Sequence, residues 1–158
     1  MNNEIKFILN GKETAYTGNA DNRLLDVLRG EYKLKGVKCG CNEGECGACS
    51  VLIDGNIINS CMVAMGRVNG LNVTTIEGYS ETEKFSVLEK AFAAVSAVQC
   101  GFCIPGMILA GEALLSKKPH PTEDEIRIAI SGNLCRCTGY NAIVKAIHIA
   151  AEEGNGLW

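Results

Sequence analysis

An α+β fold in two successive units is predicted from three features of this chain. Short runs of alternating apolar and polar residues, joined by Asn-Gly and Asp-Gly turns, fill the first half, and that is the pattern of β-hairpins. Beyond residue 78 the apolar residues recur every three or four positions instead, the period of helices that bury one face. Cysteine marks both halves, with nine in 158 residues and eight of them in two groups of four. The division is expected at residues 1–78 and 79–158. In a chain of 16.9 kDa each unit is too small for a generous core of its own, so bound metal would help to hold it.

In the first unit Glu4-Ile5-Lys6-Phe7-Ile8-Leu9 alternates, Asn10-Gly11 turns the chain, and Thr14-Ala15-Tyr16-Thr17 returns it. Asp21 and Asn22 are candidate caps for a short helix with Leu24, Leu25, Val27 and Leu28 on its apolar face. Val51-Leu52-Ile53, Asp54-Gly55 and Asn56-Ile57-Ile58 form a second hairpin, and Val73-Thr74-Thr75-Ile76 a last strand. Four helices follow. Residues 85–98 align Phe85, Leu88, Ala91, Phe92 and Val95; residues 106–116 have Pro105 in the first turn and must stop before Pro119 and Pro121. Thr122 and Glu125 form a capping box for the third, closed by Gly132, and the fourth runs from Tyr140 or Asn141 to Glu152. Residues 154–158 are expected to fray unless Trp158 docks on a partner.

A net charge of −3 and a pI near 5.4 leave no basic footprint for nucleic acid. Residues 1–12 lack the charged start, long apolar stretch and cleavage site of a secretory signal. No stretch approaches the roughly 18 apolar residues of a membrane span. A cytoplasmic chain is therefore expected, and in that compartment abundant cysteine argues for metal or redox chemistry rather than disulfides. Nothing resembles a nucleophile-base constellation, a nucleotide loop or a flavin fingerprint. No catalytic residue is assigned.

Cys41, Cys46, Cys49 and Cys61 read C-x4-C-x2-C with a distant fourth, the spacing by which plant-type ferredoxin loops hold a [2Fe-2S] cluster. Structural zinc prefers paired short knuckles. The glycines at 40, 44 and 47, with Ala48, let the backbone curl closely round a compact object. Cys100, Cys103, Cys135 and Cys137 read C-x2-C and C-x-C, the first pair expected at a helix C-terminus. That spacing admits zinc as well as a cluster. Cys39 would give an x6 gap to Cys46 and is read as a free thiol. His120 and His148 lie outside both motifs, which disfavours a Rieske centre. Met62, Met65 and Met107 are read as packing residues, since both thiolate sets are full.

Four segments together carry a resemblance: Gly40-Cys41-Asn42-Glu43-Gly44-Glu45-Cys46-Gly47-Ala48-Cys49, Thr74-Thr75-Ile76-Glu77-Gly78, Gln99-Cys100-Gly101-Phe102-Cys103-Ile104-Pro105-Gly106-Met107 and Gly132-Asn133-Leu134-Cys135-Arg136-Cys137-Thr138-Gly139-Tyr140. Over nearly its whole length the chain resembles the iron-sulfur subunit of molybdenum hydroxylases, the xanthine dehydrogenase group. Ile104, where that family commonly has Thr, and the additional Cys39 depart from it. The resemblance implies a β-grasp ferredoxin-like domain followed by a four-helix domain, each with one [2Fe-2S] cluster. It implies a large subunit holding molybdopterin, a medium subunit holding FAD, and electrons passing from the first to the second through this chain. Gln99 and Cys137 would approach the pterin, and the helical cluster would lie nearest to it. Arg136 would meet a partner or balance thiolate charge. The substrate, selected on another chain, is expected to be a purine or related N-heterocycle. A free-standing two-cluster carrier and a structural zinc module are the alternatives.

Overall fold

The computed structural model describes residues 4–158, so the part of the signal-peptide reading that rests on Met1 to Asn3 lies outside it. Strands β1 (Glu4–Leu9) and β2 (Lys12–Thr17) pair antiparallel with Leu9 opposite Lys12. Asn10 and Gly11 both take positive φ, at 50° and 77°, as a two-residue turn matched to strand twist requires. Asp54 and Gly55, at 47° and 78°, do the same between β3 (Ser50–Ile53) and β4 (Asn56–Asn59). With β5 (Asn72–Thr74) they make one sheet in the order β2-β1-β5-β3-β4, in which only the β1–β5 pair is parallel.

Helix α1 (Leu24–Gly30) covers one face of the sheet, burying Leu24, Leu25, Val27 and Leu28. Its N-cap is Arg23, without a side-chain cap. Of the expected caps Asn22 is used elsewhere, its side-chain amide donating to the Tyr16 hydroxyl at 2.8 Å, and Arg23, the residue at the cap position, forms an isolated bridge with Ala64. The last strand stops at Thr74, short of the expected Ile76. After Thr74 the chain enters α2 (Ile76–Tyr79), because Thr75, fully buried, is held by Asn10: its amide donates to Asn10 Oδ1 at 2.8 Å.

Helices α3 (Glu83–Ala94), α4 (Ile104–Leu115), α5 (Glu123–Ala129) and α6 (Asn141–Glu153) form the second unit. Thr82 caps α3 by accepting from the Phe85 amide. The helix stops at Ala94, short of the expected Val98: Ser96 turns to φ 54° and the Ala97 amide closes back on the Phe92 carbonyl, a left-handed stop that only local polar geometry signals. The Thr122–Glu125 capping box of α5 is formed, and α5 stops at Ala129, before Gly132. Helix α4 is buried nearly all round and forms the centre of this core.

The two cores share a wall. In β3 successive side chains point to opposite faces, so Val51 enters the core under α1 while Leu52 joins the helical core beside α4. Each burial is worth about 1.5–3 kcal/mol. The C-terminus docks on its own chain rather than fraying: Trp158 Nε1 donates to Glu112 Oε2 at 2.7 Å. Among the described residues no helix is long and apolar enough to cross a membrane.

Candidate metal centres

The first quartet is presented by one loop and one hairpin. Residues 34–48 curl back between α1 and β3, and Cys49 lies immediately before β3, so the β3–β4 pairing brings it level with Cys61 in the 3-10 turn after β4. Cys49 and Cys61 are buried at 3% and 4% exposure, whereas Cys41 and Cys46 lie nearer the surface. Backbone amides aim at the outer thiols: Glu43 N and Cys46 N donate to Cys41 Sγ at 3.3 and 3.4 Å, and Cys41 N donates to Cys46 Sγ at 3.4 Å. Those amides hold the Cys41 thiol down at about 6, because they favour its anion. Burial, with the neighbouring Cys49 thiol, pushes Cys61 up to about 11.

The loop has no room for larger side chains. A Cβ on Gly40 would sit 2.7 Å from Cys46 Sγ, and one on Gly44 2.7 Å from Met62 Cγ. The Asn59 amide pins the loop's tip by donating to the Gly44 carbonyl at 2.6 Å. Met62 is itself exposed, contrary to its reading as a packing residue; Met65 and Met107 are fully buried.

The second quartet joins two inter-helical connections. Cys103 is the N-cap of α4 and Cys100 stands in the bend before it, so the first pair lies at the start of α4 and not at the end of α3. Cys135 and Cys137 lie in the connection between α5 and α6. The Cys137 and Cys100 sulfurs are 3.6 Å apart and both exposed. Cys103 and Cys135 make the other pair, more deeply set. Burial, then the Cys135 thiol, pushes Cys103 up to about 12. Burial would also raise Cys135, but the Thr138 hydroxyl, donating to its sulfur at 3.1 Å, and nearby amides bring it below the ordinary thiol value. The Cys135 amide donates to the Tyr140 hydroxyl at 3.0 Å.

Each quartet thus gathers as two pairs: Cys41 with Cys46 and Cys49 with Cys61, then Cys100 with Cys137 and Cys103 with Cys135. Among the described residues no three His, Cys, Asp or Glu side chains are grouped to hold a metal ion by themselves. Two thiolates for each of two irons is how a [2Fe-2S] cluster is held, so donor type, pairing and the small-residue cradle all fit such a group.

Gln99 is exposed and lies beyond the end of α3, so it does not cap that helix. It stands beside the exposed Cys100–Cys137 pair in sequence. Arg136 is exposed. His120 is exposed, and His148 pairs with Glu152 at 3.4 Å. The Cys39 thiol is exposed and donates to Asn42 Oδ1 at 3.2 Å. Sequence reasoning assigned no role to Asn59, Asn133 or Thr138 and read Tyr140 only as a helix start. Their position inside or beside the cysteine segments was the available signal; their partners, distant in sequence except for Thr138 and Tyr140, were not.

Two family models cover most of the chain, a 2Fe-2S iron-sulfur cluster binding domain over residues 7–69 and a [2Fe-2S] binding domain over residues 75–148. The nicotinate dehydrogenase small FeS subunit of Eubacterium barkeri is 47% identical over 149 residues, 94% of this chain and 95% of that one. The chain belongs to the [2Fe-2S] small-subunit family of xanthine dehydrogenase-type oxidoreductases. The xanthine dehydrogenase iron-sulfur-binding subunit of Escherichia coli O157:H7 is 48% identical over 127 residues, with 78% of this chain and 79% of that one covered. Quinoline 2-oxidoreductase from Pseudomonas putida 86 superimposes with a TM-score of 0.89 at 40% identity, over 96% of this chain and 95% of that one. Relatives of this chain's own length are iron-sulfur subunits of multi-subunit molybdenum hydroxylases, electron transfer is the function of this chain, and two [2Fe-2S] clusters are its cofactors. The expected α+β arrangement, a ferredoxin-like unit followed by a helical one, is the one observed.

Proposed function

We propose that Cys41, Cys46, Cys49 and Cys61 hold one [2Fe-2S] cluster, that Cys100, Cys103, Cys135 and Cys137 hold the other, and that electrons run from the second towards the first. The units divide near residue 78, close to the run between the two matched regions. A bound cluster supplies one-electron redox capacity; the chain supplies the thiolates, the amides that point at them and the exclusion of bulk. The observation that carries the direction is the polarity of the second quartet. Its Cys100–Cys137 pair is open to a partner, while Cys135 lies next to Leu134, whose amide donates to the Cys46 carbonyl of the first loop at 2.9 Å.

Gln99 and Cys137 are assigned to the pterin of a molybdopterin-binding large subunit, which docks on that open side. Val98 and Phe102 are exposed apolar residues beside the same pair, as a permanent interface requires. The first cluster passes electrons to FAD on a medium subunit, and Met62 lies exposed beside its loop. Relatives named for nicotinate, xanthine and quinoline support a purine or other N-heterocycle as the substrate of the assembly. A cytoplasmic hetero-oligomer follows from that reading.

Iron and acid-labile sulfide at about four each per chain, with two distinct EPR signals on reduction, are expected. Zinc in place of iron would overturn the ligand assignment. Purification from the native host should bring molybdopterin and flavin chains along; a chain that purifies alone with both clusters would favour a free-standing carrier. Gln99→Ala in the assembled enzyme should lower turnover and pterin retention without changing the cluster signals, and unaltered turnover and retention would remove Gln99 from the pterin site.

A further inference from the structure

The two cysteine quartets belong to different units, and the polypeptide joins them at one small contact. The segment from Gly132 to Leu134 lies against Cys46 and Gly47. The Leu134 amide donates to the Cys46 carbonyl at 2.9 Å, so the path from that hydrogen bond to a thiol runs through Cys46 itself on one side and through the Leu134 backbone and Cys135 on the other. Next to it Asn133 is 5% exposed, and its side-chain amide donates twice, to the Gly47 carbonyl at 3.0 Å and to Ser50 Oγ at 3.2 Å. Ser50 Oγ in turn donates to the same Gly47 carbonyl at 2.7 Å. The three groups close a triangle.

The contact has no slack. A Cβ on Gly47 would lie 2.3 Å from the Gly132 carbonyl oxygen, and one on Gly106, in the first turn of α4, 2.5 Å from the Gly47 carbonyl oxygen. Both Asn133 donors reach across to the other unit, while its own turn is already closed by the Asn133 amide on the Ile130 carbonyl at 2.9 Å. An apolar side chain would fill the same space without fixing a direction; a buried amide with two acceptors fixes both distance and angle.

We propose that Asn133 is a positioning residue for electron transfer between the two cysteine quartets, holding the Gly47–Ser50 turn at the separation where the Leu134–Cys46 hydrogen bond forms. The inference rests on the assignment of the quartets as cluster ligands. One electron crosses the joint, leaving the helical unit oxidised by one and the sheet unit reduced by one, and no proton or covalent bond changes. Asn133 neither carries nor stores the electron.

The test compares the iron-loaded full-length chain with its Asn133→Ala variant. Three readouts are needed: iron content, magnetic splitting between the two reduced clusters by EPR, and hydrogen exchange of the Leu134 amide. Equilibration of one photo-injected electron between the clusters supplies the rate. The expected result is full iron content with loss of splitting, faster Leu134 exchange and slower equilibration. Full iron content with all three unchanged overturns the proposal, as does lowered stability with splitting and rate intact, because that is what a structural role alone produces. If Asn133→Ala does not load iron, Ser50→Ala decides: it removes one of the two acceptors, and unchanged splitting and Leu134 exchange there overturn the proposal. A parent chain that carries no paired clusters sinks the ligand assignment instead, and Leu134 exchange alone then decides whether Asn133 holds the joint.

Discussion

Replacing Glu112 by Ala removes the hub that ties α2, α3, α4 and the C-terminus together. Its carboxylate, 8% exposed, accepts from the Tyr79 hydroxyl at 2.6 Å, the Trp158 indole at 2.7 Å and the Ser116 hydroxyl at 2.6 Å, and pairs with Lys84 at 3.3 Å. Lys84 is partly exposed and regains water, so its loss counts for little. Tyr79 is 4% exposed and keeps a buried, orphaned hydroxyl, at a cost of about 1–3 kcal/mol. Trp158 loses a hydrogen bond to a charged acceptor, about 1.5–3 kcal/mol, and the truncated methylene adds about 0.8 kcal/mol. Relief of the carboxylate's own desolvation offsets part of this. The balance is about 4 kcal/mol of lost stability, or about 8–16 °C in thermal midpoint for a chain of this size. Glu112→Gln keeps the shape and weaker bonds and should lose about 1–2 kcal/mol. Thermal unfolding at fixed scan rate measures the loss, and Trp158, the single tryptophan, reports the local release by a red-shifted emission. An Ala variant within about 1 kcal/mol of the parent, with unshifted emission, would refute the hub.

Gly47→Val should loosen the joint between the units and alter the EPR signal of the first cluster, because φ is 69° and the new side chain meets the Gly132 carbonyl; an unchanged spectrum and potential would count against the cradle. Glu125 is held down at about 2, from an ordinary 4.5, first by the Lys118 ammonium and then by the Thr122 amide. Its folded value is depressed, so its contribution is full above pH 4.5 and is lost as pH falls towards about 2. Acid unfolding of a Glu125→Gln variant should lack that pH-dependent component, and an identical acid profile would show that the ionised Glu125 contributes nothing. Thr122→Ala should cost about 1 kcal/mol, measured by denaturant titration.

Both hairpins were legible because their turns demand positive φ at two successive residues, and Asn10-Gly11 and Asp54-Gly55 are among the pairs that accept it. The capping box of α5 was legible for a similar reason, since its two reciprocal bonds lie within one turn, between Thr122 and Glu125. The end of α3 was not. Its apolar period continues through Val95, Ala97 and Val98, but Ser96 takes the left-handed conformation that lets the chain turn towards Cys100. Ile76 kept a strand's composition yet entered a helix, because Thr75 is captured by Asn10, which is remote in sequence. Trp158 docked because Glu112 was buried in α4, a placement that no local pattern announces.

Cysteine spacing alone predicts which thiols of the first quartet share a site, because Cys41, Cys46 and Cys49 fall in one short loop and the β3–β4 hairpin returns Cys61 to it. It cannot do so for the second, where two short pairs far apart in the chain admit zinc or iron by spacing. The segments around those pairs, matched as a [2Fe-2S] binding domain over residues 75–148, favour the cluster; what tertiary structure adds is the pairing, since α4 stacks against the connection between α5 and α6 so that Cys100 meets Cys137 and Cys103 meets Cys135. It also decides how the two sites face one another. The contact of Asn133 and Leu134 with Gly47 and Cys46 joins residues from the two halves of the chain, and it forms because β3 offers one side chain to each core and thereby binds the two units into a shared wall.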